Sequence, residues 1–137
     1  MYIWSQKILI PMKKIIETSK APAPIGPYSQ AVLTGQTLYV SGQIAVNPEN
    51  GHVVMSDIKE ETKQVMENLG AILQAADMNF SNLVKCTIFL ADMNDFAEMN
   101  EVYSSYFKSD FPARETVQVS CLPKNMKVEI SGIAFKG

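Results

Sequence analysis

The sequence predicts an α+β domain, a mixed sheet with two helices on one face. Three observations lead there. Two stretches carry apolar residues at helical spacing, and six shorter ones alternate as strands do. The order reads strand, strand, strand, helix, strand, helix, strand, strand, with no internal repeat and no linker. Two amphipathic helices can cover only one face of such a sheet.

The elements follow in chain order. Lys13 to Glu17 alternates weakly and suits a short edge strand. Pro22, Pro24, Gly26 and Pro27 forbid a helix over 21–28 and mark an ordered loop. Gln30 to Leu33 and Thr37 to Gln43 read as strands around a Thr34-Gly35-Gln36 turn. Asn47-Pro48-Glu49-Asn50-Gly51 is a loop or hairpin tip. The clearest helix spans Asp57 to Ala76, with Ile58, Val65, Met66, Leu69, Ile72 and Leu73 in phase. Asp57 followed by Glu60 resembles a capping box. Leu83 to Leu90 is a strand with Val84, Cys86, Ile88 and Leu90 on one face. A second helix runs from about Asp95 to Phe107, with Asp95 and Glu98 as its cap and Phe96, Met99, Tyr103 and Tyr106 as its stripe. Glu115 to Cys121 and Met126 to Phe135 close the sheet.

At 137 residues the chain has the size of one domain, here 12–137. Residues 1–11 lack the charged start and long apolar core of a secretory signal and read as an extension outside the fold. A net charge of −2 without a basic block argues against nucleic acid, and the apolar runs are too short to span a bilayer. Cys86 and Cys121 read as small buried hydrophobes, and one histidine, His52, argues against a zinc site.

The strand phases carry the functional expectation. Val117, Val119 and Cys121 should face the helices, leaving Arg114, Thr116, Gln118 and Ser120 on the open face. On the last strand, Val128, Ile130 and Ala134 alternate with Glu129, Ser131, Ile133 and Phe135. A mixed open face with aromatics suits burial between subunits, so a homo-oligomer is expected, with Arg114 and Glu129 lining a cleft between chains. Arginine stays charged and its fork matches a carboxylate, so Arg114 suits a small carboxylate ligand. Glu129 suits the handling of water. On pattern alone the alternative for each is a surface charge on a strand. Asn100, on the edge of the second helix's stripe, needs a hydrogen-bond partner, either a ligand or a local bond to backbone or a neighbouring chain. Tyr28 either presents its ring to a pocket or anchors its loop. The amides of Ser41 and Gly42 either hold an anion or form a bulge. No G-x-S-x-G elbow accompanies the single histidine, which argues against a Ser-His-Asp triad.

These stretches carry a resemblance. Ile25-Gly26-Pro27-Tyr28-Ser29-Gln30-Ala31, Val40-Ser41-Gly42-Gln43-Ile44, Asn94-Asp95-Phe96-Ala97-Glu98-Met99-Asn100, Phe111-Pro112-Ala113-Arg114, Leu122-Pro123-Lys124 and Val128-Glu129-Ile130 closely resemble the RidA/YjgF family, in order and spacing, from about Met12 to the C-terminus. The resemblance implies a chorismate-mutase-like α+β fold and a cytoplasmic homotrimer with clefts between subunits. It also implies a 2-iminobutanoate/2-iminopropanoate deaminase. Such an enzyme hydrolyses reactive enamines and imines, released by pyridoxal-phosphate dehydratases, to 2-oxo acids and ammonia. The motif arginine and glutamate fall on Arg114 and Glu129, and Tyr28, Ser41, Gly42 and Asn100 fall on substrate-binding positions. Many members carry Ser-Cys after the arginine, where this chain has Glu115-Thr116.

The implied chemistry suits these residue types. Arg114 would hold the carboxylate and water positioned by Glu129 would attack the iminium carbon. An iminium is already electrophilic, so no cofactor, metal or protein nucleophile is called for. The rival reading is a non-enzymatic carboxylate-binding regulatory protein of the same fold, since one clamp serves both. RNA cleavage fits poorly with the acidic balance and lone histidine.

Overall fold

A computed structural model describes residues 12–137; residues 1–11, read as an extension, lie outside the described residues. The elements are β1 (Lys14–Ile16), β2 (Ala31–Thr34), β3 (Thr37–Gln43), α1 (Ile58–Ala75), β4 (Leu83–Leu90), α2 (Phe96–Ser104), β5 (Ala113–Gln118) and β6 (Val128–Phe135). They build one six-stranded sheet in the order β1-β2-β3-β6-β4-β5. Only β4 and β5 run parallel, with α2 as their crossover; every other pair is antiparallel. The expected α+β class and mixed sheet are therefore present.

Local chemistry explains the elements. Gly35, at φ 60°, takes the left-handed turn between β2 and β3 that a side chain would resist. Asp57 caps α1 by accepting the Glu60 amide at 2.9 Å. Val65, Met66, Leu69, Ile72 and Leu73 of α1 are fully buried against Leu38, Ile88, Leu90, Val128 and Ile130 of the sheet. Each such side chain contributes roughly 1.5–3 kcal/mol. The α2 helix packs beside α1 and adds Met99 and Tyr103 to this core.

Three local expectations are corrected. Val84 does not share the buried face of β4. A register shift between Leu83 and Lys85 makes it the extra residue of a bulge; Val84 is 50% exposed while Leu83 is buried. Asp95 makes no side-chain cap on α2; Asp92 instead accepts the Asn94 amide in the preceding 3-10 turn. The α2 helix ends at Ser104, and three-residue turns carry the chain on to Phe107.

The largest correction concerns β5. Its phase is opposite to the expected one. Val117 is 43% exposed on the open face, Cys121 is also exposed, and Arg114 with Thr116 points to the helix side. Arg114 pairs in register with Cys86 and Thr116 with Ile88, both fully buried under the helices. As a sheet edge beside a short helix, β5 leaves room there for a long polar side chain. The expected phase of β6 holds: Val128, Ile130 and Ala134 are buried, while Glu129, Ser131 and Ile133 are half-buried opposite them.

The open face is apolar in one cross-strand row. Ile15, Val32, Tyr39 and Ile133 are successive register partners across β1, β2, β3 and β6. A second row runs Val117, Phe89, Glu129 across β5, β4 and β6.

Candidate active site

Two clusters emerge, one on each side of the sheet. The first is built around Arg114. Its Nη1 donates to Asn100 Oδ1 at 2.7 Å. Its Cζ lies 5.5 Å from the Phe96 ring centre and 5.0 Å from that of Tyr103. These three partners sit at i, i+4 and i+7 of one helix, so they share a face and form a cradle. Guanidinium stacking on two rings fixes the plane of the fork, and the Asn100 bond fixes its rotation. Among the described residues Arg114 has no carboxylate partner. It opens on a cavity of about 320 Å³ lined by Asn100, Tyr103, Ser104, Phe111, Pro112 and Arg114. An unneutralised cation in such a recess is a ready anion site. Asn100 thus holds the arginine, a side chain of its own chain rather than a backbone group.

The second cluster is built around Glu129. The β3–β6 register shifts between Val40 and Gln43, which places Ser41 and Gly42 in a bulge. A side chain at Gly42 would meet Glu129 Oε2 at 2.5 Å and Cδ at 2.7 Å, so the carboxyl group lies directly on this glycine. No hydrogen-bond donor among the described residues reaches that carboxylate, and burial raises its pKa above the ordinary value of 4.5. A buried glutamate fixes the entry to its strand: Glu61 on α1 accepts the Lys127 amide at 2.9 Å.

Tyr28 and Gly42 share a cavity of about 290 Å³ with apolar walls that include Ile25, Ile44 and Val46. The half-exposed Tyr28 ring faces this recess. Ser41 is occupied: its amide donates to Gln30 O at 2.9 Å and its hydroxyl to Ser29 O at 2.6 Å. These bonds lock the Tyr28 loop to β3, so the Ser41 amide is already engaged, the pair takes the bulge alternative, and the serine positions Tyr28. Gln30 holds the other side of the loop, donating to Thr18 O, Ala21 O and Pro22 O.

Within one chain the structure therefore joins Arg114 to Asn100, Glu129 to Gly42, Gly42 to Tyr28 across a shared cavity, and Ser41 to the Tyr28 loop. It does not bring Arg114 and Glu129 onto one face. Phe96 and Tyr103 were read only as an apolar stripe. Their spacing around Asn100 was the available signal for the cradle.

Such a chain is an α+β protein with a recessed arginine on one sheet face and a desolvated glutamate on the other. The Endoribonuclease L-PSP family profile matches residues 18–136. The chain belongs to this family, the RidA/YjgF group expected from its motifs. It is 51% identical over 126 residues to human 2-iminobutanoate/2-iminopropanoate deaminase, covering 92% of each chain. A putative endoribonuclease from Thermotoga maritima superposes with TM-score 0.90 at 49% identity, over 92% of this chain and 99% of that one. A conserved Rid-family protein from Yersinia pestis superposes with TM-score 0.88 at 47% identity, over 90% and 99%.

Proposed function

We propose that the protein is a 2-iminobutanoate/2-iminopropanoate deaminase, a hydrolase of C–N bonds that converts reactive imines and enamines to 2-oxo acids and ammonia. The carrying observation is the Arg114 fork, held by Asn100 and two rings in an open cavity without a counter-ion among the described residues. The identity to relatives of that name over nine-tenths of the chain supports the reading.

In the proposed mechanism Arg114 binds the substrate carboxylate and sets the iminium carbon in place. Glu129, desolvated and without a counter-ion among the described residues, takes a proton from water as it adds to that carbon. Glu129 then returns that proton to the carbinolamine nitrogen, the C–N bond breaks as the hydroxyl oxygen forms the carbonyl, and the departing ammonia takes the hydroxyl proton and leaves as ammonium. Tyr28 and Gly42 line one recess, and Gly42 also seats Glu129.

Arg114 and Glu129 need a second copy to share one substrate. The apolar open-face row of Ile15, Val32, Tyr39 and Ile133 supports such a partner, and we read the assembly as a homotrimer with sites between subunits. Among the described residues no helix is long and apolar enough to cross a membrane. The family's description points to RNA. The net charge of −2 and the exposed loop position of the only histidine supply neither a phosphate surface nor a paired acid and base.

The test is ammonia release coupled to threonine dehydratase. Acceleration by the wild type and its loss in Arg114→Ala support the reading. Ligand binding without acceleration replaces it with a carboxylate-binding module.

A further inference from the structure

Three aromatic rings meet at the surface where α1 and α2 end. Phe80 packs on Tyr106 with 5.2 Å between ring centres and on Phe107 with 5.9 Å. The Phe80 ring is seated on α1 at Gly70, where an added Cβ would lie 3.0 Å from its Cζ. Tyr106 is pinned to the same helix, its Oη donating to Glu67 Oε2 at 2.7 Å. The rings are thus fixed, yet all three are only half-buried, and they line a cavity of about 530 Å³. Lys108, Ser109 and Asp110 supply its polar rim, with Asp110 at a left-handed φ of 54°. Among the described residues neither Lys108 nor Asp110 has an ion-pair partner. Rigid aromatic walls with a few polar groups are the usual make-up of a small-molecule site. One cation and one anion above apolar rings match a zwitterion with an apolar side chain.

We propose that this cavity is an effector site for a free amino acid with an apolar or aromatic side chain. Lys108 pairs with its carboxylate, Asp110 with its ammonium group, and the rings take its side chain. A 2-oxo acid lacks the ammonium group and meets the Asp110 charge unpaired, so the site selects the amino acid over it. Phe107 is a wall shared with the Arg114 recess. Its ring centre lies 5.0 Å from that of Tyr103 and 5.7 Å from that of Phe111, and both of these line that recess. The chain also passes directly from Asp110 on one cavity to Phe111 and Pro112 on the other. Phe111 is 58% exposed, so little packing holds this wall. A ligand that steadies it lowers the ordering cost of substrate binding beside Arg114, and KM falls. The binding claim is independent of the deaminase reading; the effect on KM rests on it.

Calorimetry measures Kd for L-phenylalanine, 3-phenylpropionate and phenethylamine on the wild type and on Arg114→Ala, each with and without Lys108→Ala or Asp110→Asn. KM for imine hydrolysis is measured with and without L-phenylalanine. Lys108 and Asp110 are exposed, so both variants keep the fold. L-phenylalanine is expected to bind wild type and Arg114→Ala alike, and to lower the wild-type KM several-fold. Lys108→Ala and Asp110→Asn each weaken its binding roughly three- to fivefold, the worth of one exposed ion pair, and shrink the KM effect in step. In the Arg114→Ala background, Asp110→Asn does not weaken 3-phenylpropionate and Lys108→Ala does not weaken phenethylamine, because each probe lacks the charge concerned. Absence of L-phenylalanine binding overturns the proposal. So does binding that disappears in Arg114→Ala, binding that ignores both rim variants, or binding that leaves the KM of an active wild type unchanged. A wild type that hydrolyses no imine removes the deaminase reading, and the charge-by-charge binding pattern then decides this site alone.

Discussion

Arg114 and Glu129 stand on opposite faces of one sheet. Arg114 points to the helix side, stacked on Phe96 and Tyr103, and Glu129 points to the open side, against Gly42. The two strands that carry them, β5 and β6, flank β4. A sheet cannot be crossed by either side chain, so no small acid touches both within one chain.

Removing the clamp is expected to remove the activity while leaving the fold. Arg114→Ala should lower kcat/KM by about a hundredfold or more, the worth of two charge-assisted hydrogen bonds. Arg114→Lys should recover little, because a point charge cannot reproduce the fork. Steady-state imine hydrolysis, with circular dichroism as the folding control, checks both.

Asn100 acts through Arg114. Asn100→Ala should free the guanidinium to rotate and raise KM several-fold, less than the loss of a direct charged hydrogen bond to the substrate. Asn100→Asp should raise KM further, roughly tenfold, because a fixed carboxylate would compete with the substrate for the same cation. A 2-oxo acid titration of each variant reads this as affinity.

Glu129 gives a signed pH dependence. Burial raises its folded-state pKa above 4.5. The folded chain therefore binds its proton more tightly than the unfolded chain. Stability falls as pH rises from the ordinary value through the raised one, then levels. Glu129→Gln lacks this loss, so it should match the wild type near pH 4 and exceed it in stability at pH 7. Chemical denaturation at the two pH values measures the difference. In activity, the acid limb of kcat/KM should lie above the ordinary carboxylate range and vanish in Glu129→Gln.

Gly42 is the seat of that carboxylate. Gly42→Ala would place a methyl 2.5 Å from Oε2 and 2.7 Å from Cδ, so Glu129 must turn away. We expect more than a tenfold loss in kcat with at most about 1–3 kcal/mol in stability, since a flexible side chain can yield. The ratio of kcat loss to melting shift, compared with Ser41→Ala, checks the assignment.

Much of this was legible in the sequence, for identifiable reasons. The period of α1 and the alternation of β6 are strong because each has one fully buried face. β5 misled because its more polar face is the one turned to the helices: Val117 lies on an open face that is itself apolar, while Arg114 hides its stem against rings. Val84 misled because a bulge shifts the phase by one residue, a displacement with no signal in alternation. The seating of Glu129 on Gly42 depends on pairing between distant strands, which local pattern does not encode. Asn100 was legible as a polar residue in need of a partner; that the partner is Arg114 was not.

The shared site is tested most directly by mixing two inactive variants. Arg114→Ala and Glu129→Gln, unfolded together and reassembled at equal ratio, should recover activity at about a quarter of the wild-type sites, because a junction of one Arg114 donor and one Glu129 donor is whole. Activity that stays at the level of the separate variants, with mixed oligomers verified by mass, would place both residues in one chain's site and contradict the account.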